Sequence, residues 1–260
     1  SNTGAVTGTG TGTGYAAGIL TNDGYGGTVE FCWNTGSVEA STPVKAFGIL
    51  YGRGAYNRVR NSFSYVPGAN IGLAPTELKE ENVSDSYYLA DKKDSVSSVG
   101  EWASADDFAS GKVAWGVGGK GEGSQGGTDQ DAKLGWWKQD KDDKYPTLLD
   151  NPDMSKRYYR TDVDCGTGGE VELTRNASSA VKEISSKEAV YGPAGTSVTI
   201  KATPKDNTFG LKSLTWTHNG QTDVLPAKGT TNIVMPAESN VTIHAEFASV
   251  GPGGNGGYYY

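Results

Sequence analysis

Residues able to do chemistry are few and scattered in this chain. There are two histidines in 260 residues, His218 and His244, and neither belongs to an HExxH, a GxSxG, a phosphate-binding glycine loop or a paired CxxC. His218 stands before an Asn-Gly turn and His244 at an outward position of an alternating strand. Both therefore read as exposed sheet histidines rather than members of a triad. Carboxylates remain, because enzymes that cleave polysaccharides use them as acid, base or calcium ligand. Asp140, Asp142 and Asp143, in QDKDDK, are the candidate calcium ligands. The stretch lacks the glycine and distal glutamate of an EF-hand, so solvated charge is the plainer reading. Asp106-Asp107 suits a helix N-terminus. No catalytic residue is expected in these 260 residues, and no cofactor other than calcium at the three aspartates.

Tryptophan offers a sharper clue to binding. Sugars present apolar C–H faces that stack on indole rings, so Trp102, Trp115, Trp136 and Trp137 form a candidate glycan platform. Their competing role is to seal one end of a hydrophobic core. Trp136 and Trp137 are neighbours, and neighbours on a strand point to opposite faces, so one is expected buried and the other exposed.

Composition bounds the rest. A formal charge of −7 gives no general attraction to nucleic acid or to anionic membranes. No apolar run approaches the roughly 20 residues that span a bilayer, so no direct membrane insertion is expected. With 38 glycines, 14 tyrosines and six tryptophans, the chain reads as folded and loop-rich. Cys32 and Cys165 do not make a disulfide framework. The sequons at Asn82, Asn176 and Asn240 are expected by chance in a chain rich in Ser and Thr. The Thr, Gly and Tyr content leans towards a bacterial exterior, extracellular or attached to the cell wall.

Internal echoes set the architecture. Asn-Thr-Gly starts at Asn2 and again at Asn34, and Gly18-Ile19-Leu20 returns as Gly48-Ile49-Leu50. Val29, Cys32 and Trp33 are followed by Val59, Ser62 and Phe63, then by Val83, Ser86 and Tyr87. Short β-prone pieces separated by Gly, Asn, Asp and Pro fill each unit, which reads as a rung that must stack on the next to bury its apolar face. Cys32, Ser62 and Ser86 are expected to form one interior column, with Trp33, Phe63 and Tyr87 an aromatic column beside it. APTELKEEN (74–82) breaks the third unit with a polar helical turn. An open last rung needs a cover, expected over 90–150 with a helix capped by Ser104 and Asp107. TGTGTGTG (7–14) and GGKGEGSQGGTDQDAK (118–133) read as loops. The open first rung and the linker-like tail 249–260 suggest a chain that continues in both directions, and the first rung offers an edge for self-association.

The stretch CWNTGSV…AFGILYG resembles the GLUG-type repeats of bacterial surface and secreted proteins, a β-solenoid family. The resemblance covers about 1–90, and YYLADKKDS…GWWKQDKDDKYPTLL resembles the segment that often follows such repeats. It implies a short right-handed, parallel β-helix-like solenoid with a C-terminal cap over 1–150. Some relatives are metallopeptidases, but their zinc-helix motif is missing here.

After a linker at 151–167 the pattern changes to strict alternation. Val198, Ile200 and Ala202, and again Val241, Ile243, Ala245 and Phe247, face one way. Asn219-Gly220 marks a hairpin between strands carrying Leu214, Trp216 and Val224. AGTSVTIKATP…KSLTWTHNG…IVMPAESNVTIHAEF resembles the bacterial repeat domain of surface proteins. This implies a small antiparallel Ig-like β-sandwich over 168–248 that serves as a stalk or spacer. The fold class expected for the whole chain is all-β. The function expected is a non-catalytic piece of a large bacterial protein, binding host or community glycans or surface proteins. The rivals are the accessory C-terminal region of a secreted polysaccharide-, mucin- or peptide-cleaving enzyme, and a structural stalk or filament subunit.

Overall fold

The computed structural model describes residues 1–8, 16–22, 26–40, 46–52, 56–69, 71–76, 78–91, 98–120, 135–227, 229–237 and 239–251. Most of the loop expected at 118–133, most of TGTGTGTG and nearly all of the tail lie outside them. The chain is all-β, with 49% strand against 9% helix. No helix among the described residues is long and apolar enough to cross a membrane.

Up to residue 103 the strands are short and pair in parallel with the equivalent strand of the next unit. β4 (Thr28–Glu30), β9 (Arg58–Arg60) and β11 (Val83–Ser84) make one ladder. β5 (Trp33–Asn34), β10 (Phe63–Ser64), β12 (Tyr87–Leu89) and β13 (Glu101–Ala103) make a second. Three two-stranded ladders complete the set: β1 (Val6–Gly8) with β6 (Val38–Ala40), β2 (Ala16–Ala17) with β7 (Ala46–Phe47), and β3 (Leu20–Asn22) with β8 (Leu50–Gly52). Val29 pairs with Val59 and Val59 with Val83, while Trp33 pairs with Phe63 and Phe63 with Tyr87. Leu20 lies opposite Leu50. The registers coincide with the sequence echoes.

The corner between the first two ladders explains the small residues. Phe31, Asn61 and Asp85 each take a left-handed conformation, with φ of 50°, 48° and 48°, which is unfavourable for residues with a Cβ. The next side chain in each unit bridges the corner. Ser62 Oγ donates to the Arg60 carbonyl at 2.7 Å, Ser86 Oγ to that of Ser84 at 2.8 Å, and Cys32 Sγ to that of Glu30 at 3.2 Å. The same oxygens accept from the neighbouring unit, Ser62 Oγ from the Cys32 amide at 3.1 Å and Ser86 Oγ from the Ser62 amide at 3.2 Å. The Asn-Thr-Gly echo has a similar cause. Asn34 is fully buried, and its Oδ1 accepts from Asn2 Nδ2 at 2.8 Å while its own Nδ2 donates to the Gly36 carbonyl. A Cβ on Gly36 would lie 1.8 Å from the Gly4 carbonyl oxygen, so only glycine permits this approach.

Alternation along the second ladder divides its burial. Tyr88 and Trp102 turn towards a core of Val29, Ile49, Leu50, Val59 and Leu73. Phe63 and Tyr87 turn the other way, with Trp33 half-buried beside them, and pack against Phe108, Val113, Val117 and Trp137. The aromatic column thus lies on the opposite face from Trp102, beneath α1 (Ala105–Ser110), α2 (Lys112–Val117) and β14 (Trp137–Lys138). The segment expected to close the open last rung lies instead along this flank, since Trp137 touches the rings of both Trp33 and Phe63. Its helix begins as the sequence indicates: Ser104 and Asp107 form a reciprocal capping box. The insertion at 74–82 contains a 3-10 turn, Glu80–Asn82.

The remaining strands form two sheets over one core. β15 (Thr147–Leu148) pairs with β14. The five-stranded sheet has the order β19 (Ala189–Pro193), β16 (Tyr158–Cys165), β24 (Val241–Ser249), β21 (Phe209–His218), β22 (Gln221–Leu225). The four-stranded sheet has the order β18 (Ile184–Ser186), β17 (Gly169–Arg175), β20 (Ser197–Pro204), β23 (Thr230–Val234). Leu173, Val198 and Ile200 of one face Leu214, Val241 and Ile243 of the other. Asn219 and Gly220 both have positive φ, 48° and 71°, as a tight hairpin turn requires.

Two further expectations need correction. Residues 151–167, read as a linker, contain β16, whose Tyr159, Thr161 and Val163 alternate with Arg160, Asp162 and Asp164; the charged positions concealed the strand. β16 pairs in parallel with β24, so the sheets are not purely antiparallel. Val224 is 83% exposed because it lies opposite Thr215 on the outer face, and Leu225, opposite Leu214, takes the inward position.

The corner makes a specific demand on stability. Ser62→Ala leaves the Cys32 amide without its acceptor and is expected to cost about 1–3 kcal/mol in chemical denaturation. Cys32→Ser, which keeps a donor in the column, is expected to be tolerated within about 1 kcal/mol. Equal costs for the two would contradict this account of the column.

Candidate functional site

The parallel-ladder half and the two-sheet half meet along a packed seam. Ala114, Tyr158 and Val181 are buried there, with Trp115, Ala180 and Tyr191 against them. Gly111 joins α1 to α2 at φ 90°, and a Cβ on it would sit 2.4 Å from the Tyr158 ring. Tyr158 donates its hydroxyl to the Gln139 carbonyl at 2.7 Å, and Gln139 Nε2 donates to the Phe108 carbonyl at 2.8 Å. Arg175 is 2% exposed. It donates through Nη1 to the carbonyls of Ser110 and Tyr191 and through Nε to that of Lys182. The Ser110 carbonyl ends α1, where the helix dipole favours a cation. Burial pulls the Arg175 guanidinium below its usual range, against the neighbouring Tyr158, which raises it. Asn240 completes the seam: its Oδ1 accepts from Trp115 Nε1 at 3.1 Å and from the Arg160 amide at 2.9 Å, and its Nδ2 donates to the Lys120 carbonyl at 2.8 Å. The sequon at Asn240 therefore has its amide nitrogen committed inside the fold.

The four tryptophans do not share a surface. Trp102 packs in the core between the parallel ladders and donates to the Ala90 carbonyl. Trp115 belongs to the seam, with its ring 5.4 Å from that of Tyr191. Trp137 is 2% exposed. Trp136 is half-buried against Phe31. The indole nitrogens of Trp136 and Trp137 are both enclosed and have no hydrogen-bond partner among the described residues. The three aspartates are engaged with separate partners. Asp140 pairs with Lys138 at 2.6 Å and Asp142 with Lys182 at 3.5 Å, while Asp143 accepts from the Asp140 amide. Among the described residues no group of three His, Cys, Asp or Glu side chains could hold a metal ion. His218 is not the exposed sheet histidine expected from the sequence: its side chain is 16% exposed, its ring lies 4.2 Å from that of Trp216 and it pairs with Asp223 at 3.0 Å, while the more exposed His244 pairs with Asp164 at 3.1 Å.

A concave site forms where the seam opens to solvent. It is a cleft of about 240 Å³ lined by Asp106, Asp107, Ser110 and Lys112 on the helical side and by Arg160, Ile184, Ser186, Glu188 and Tyr191 on the sheet side. Asp107 is fixed by Ser104 and by Lys112, whose Nζ lies 2.9 Å away. Its carboxyl is partly desolvated, which raises its pKa, but the bonds from Ser104 and Lys112 prevail and hold it below the usual range. Arg160 pairs with Asp162 at 3.2 Å and lies over the Trp115 ring. Burial raises the Tyr191 hydroxyl, opposed by Arg160 and Lys112. No motif in the sequence marks these residues, because the seam gathers them from α1, α2, β16, β18, β19 and the turn between the last two.

No family model matches the chain, and no curated protein and no solved structure matches it.

The seam should be visible in alkaline stability. Burial pushes the Tyr158 hydroxyl up to about 12 from its ordinary 10, with Arg175 opposing the shift. Because the folded state binds this proton more tightly, its contribution is complete below about pH 10 and is lost as pH rises towards 12, about 2–3 kcal/mol in all. Tyr158→Phe is expected to flatten the fall in denaturation free energy over that window; an unchanged slope would contradict the assignment. Arg175→Met, which strips the donor from three carbonyls, is expected to cost at least about 2 kcal/mol. It should also split one calorimetric unfolding transition into two.

Proposed function

We propose that the chain is a non-catalytic display module of a bacterial cell-surface or secreted protein, used in adhesion to glycans or proteins. On this reading residues 1–150 are a short right-handed β-solenoid with a flank cover, and the two sheets are an Ig-like sandwich that holds the solenoid away from the cell. The observation that carries it is the seam. Arg175, Tyr158 and Asn240 bond across the two halves through groups that are largely buried, and such a joint transmits orientation as a flexible linker cannot. Parallel ladders support the solenoid part of the reading, since each unit rests on its neighbour at a fixed register.

The rival with a catalytic role makes the chain an accessory to a glycan- or peptide-cleaving enzyme. Beads coated with residues 1–260 are expected to be retained on mucin-type glycans or on immobilised surface proteins, with and without calcium, and to release no new reducing ends or peptides from them. Cleavage would overturn the proposal in favour of an enzyme. Retention no better than bare beads would leave a stalk or filament subunit. Calcium-dependent retention abolished by Asp140→Asn and Asp142→Asn would assign those aspartates to a metal site.

A further inference from the structure

We infer that the cleft between α1 and the turn joining β18 to β19 is a subsite for a single neutral sugar ring of a glycan. The inference rests on the adhesive reading above and assigns it a place. Size is the first argument. At about 240 Å³ the cleft falls below the roughly 300–1,000 Å³ typical of pockets for drug-sized ligands, which suits one ring and not an extended oligosaccharide.

Charge is the second argument. Three carboxylates, Asp106, Asp107 and Glu188, share the lining with two cations, Lys112 and Arg160. The balance disfavours a phosphate or sulfate, which would meet the carboxylates, and a bare cation, which would meet Lys112 and Arg160. Sugar hydroxyls donate and accept at once, and the cleft offers both kinds of partner at close quarters. The Lys112–Asp107 pair carries a donor beside an acceptor, and Arg160 adds a second donor to the lining. Asp106 and Glu188 are exposed, and their carboxylates have no partner among the described residues. The Tyr191 hydroxyl likewise makes no hydrogen bond among them, while its ring supplies an apolar wall.

The site is also pre-organised, which lowers the ordering cost of binding. Ser186 Oγ accepts the amides of Glu188 and Ala189 at 3.1 and 3.2 Å, fixing the turn that carries Glu188. The capping box fixes the turn that carries Asp106. Tyr191 and Arg160 are both held against Trp115.

The test is an array of glycans ending in neutral, sialylated or sulfated sugars, probed with residues 1–260 and with two variants. Asp106→Ala combined with Glu188→Ala removes two exposed side chains, and its folding is checked by circular dichroism. Tyr191→Phe deletes one hydroxyl and keeps the ring. Wild type is expected to bind neutral termini, with affinity at least tenfold lower in the double variant and about threefold lower in Tyr191→Phe. Neutral-glycan binding unchanged in a folded double variant would overturn the subsite and leave the adhesive reading standing. Binding confined to sialylated or sulfated termini would overturn the neutral-sugar assignment. No glycan binding at all would overturn the subsite, and the adhesive reading would then stand or fall on the protein-coated surfaces of the bead experiment.

Discussion

The left-handed corner at Phe31, Asn61 and Asp85, bridged each time by the following side chain, is the constraint on which the first half of the molecule depends. It turns the chain between two ladders without glycine, which is costly unless something local offsets it. The hydroxyl of Ser62 or Ser86 does so twice, by bonding back across its own corner and by receiving the amide of the unit beside it. A side chain of this size and polarity is therefore required one residue after every corner. The residue after that is the first of the next strand and must point away from the core that receives Tyr88 and Trp102. Trp33, Phe63 and Tyr87 occupy those places, and their alignment creates an apolar flank that the ladders themselves cannot cover.

The flank dictates the packing of the helical segment. α1 and α2 place Phe108, Val113 and Val117 on it, and Trp137 crosses from Phe63 to Trp33. Gly116 lies against the Tyr87 ring, where a Cβ would come within 2.1 Å of the hydroxyl. With one face of the helical segment committed in this way, its other face carries Ala114 and Trp115 and the carbonyl end of α1. These are the groups that meet Tyr158, Tyr191, Asn240 and Arg175. Burying Arg175 without a carboxylate is tolerable only because three carbonyls surround it, one of them at a helix end. The corner, the flank and the seam thus form one chain of dependence running from residue 31 to residue 240.

How much of this is legible in the sequence depends on the range of the interaction. The register of the ladders is legible because each unit repeats the same local problem, so Val29, Val59 and Val83 advertise their pairing. The capping box and the Asn219-Gly220 turn are legible because their partners lie within a few residues. The placement of the aromatic column under the helices is not, since nothing in Trp33 or Phe63 says which face a later segment will cover. β16 is hidden for a different reason: Arg160, Asp162 and Asp164 are spaced as an outward strand face, yet beside a Pro- and Asp-containing stretch they read as a polar bridge. The tryptophans admit two readings in the sequence, since indole serves burial and binding equally well, and here Trp102 and Trp137 serve the core.

The cleft is the extreme case, because none of its walls has meaning alone. Asp106 stands at the start of a six-residue helix and Glu188 on a turn of the opposite sheet. Their separation is set by Arg175, Asn240 and Tyr158, which lie behind the cleft and do not line it. Loosening the seam would therefore change the separation of the two carboxylates. Stiffness between the halves and the shape of the proposed subsite are consequences of the same buried bonds. A site built across such a joint reports the relative position of its two sides, so a ligand that fills it adds to the rigidity that formed it.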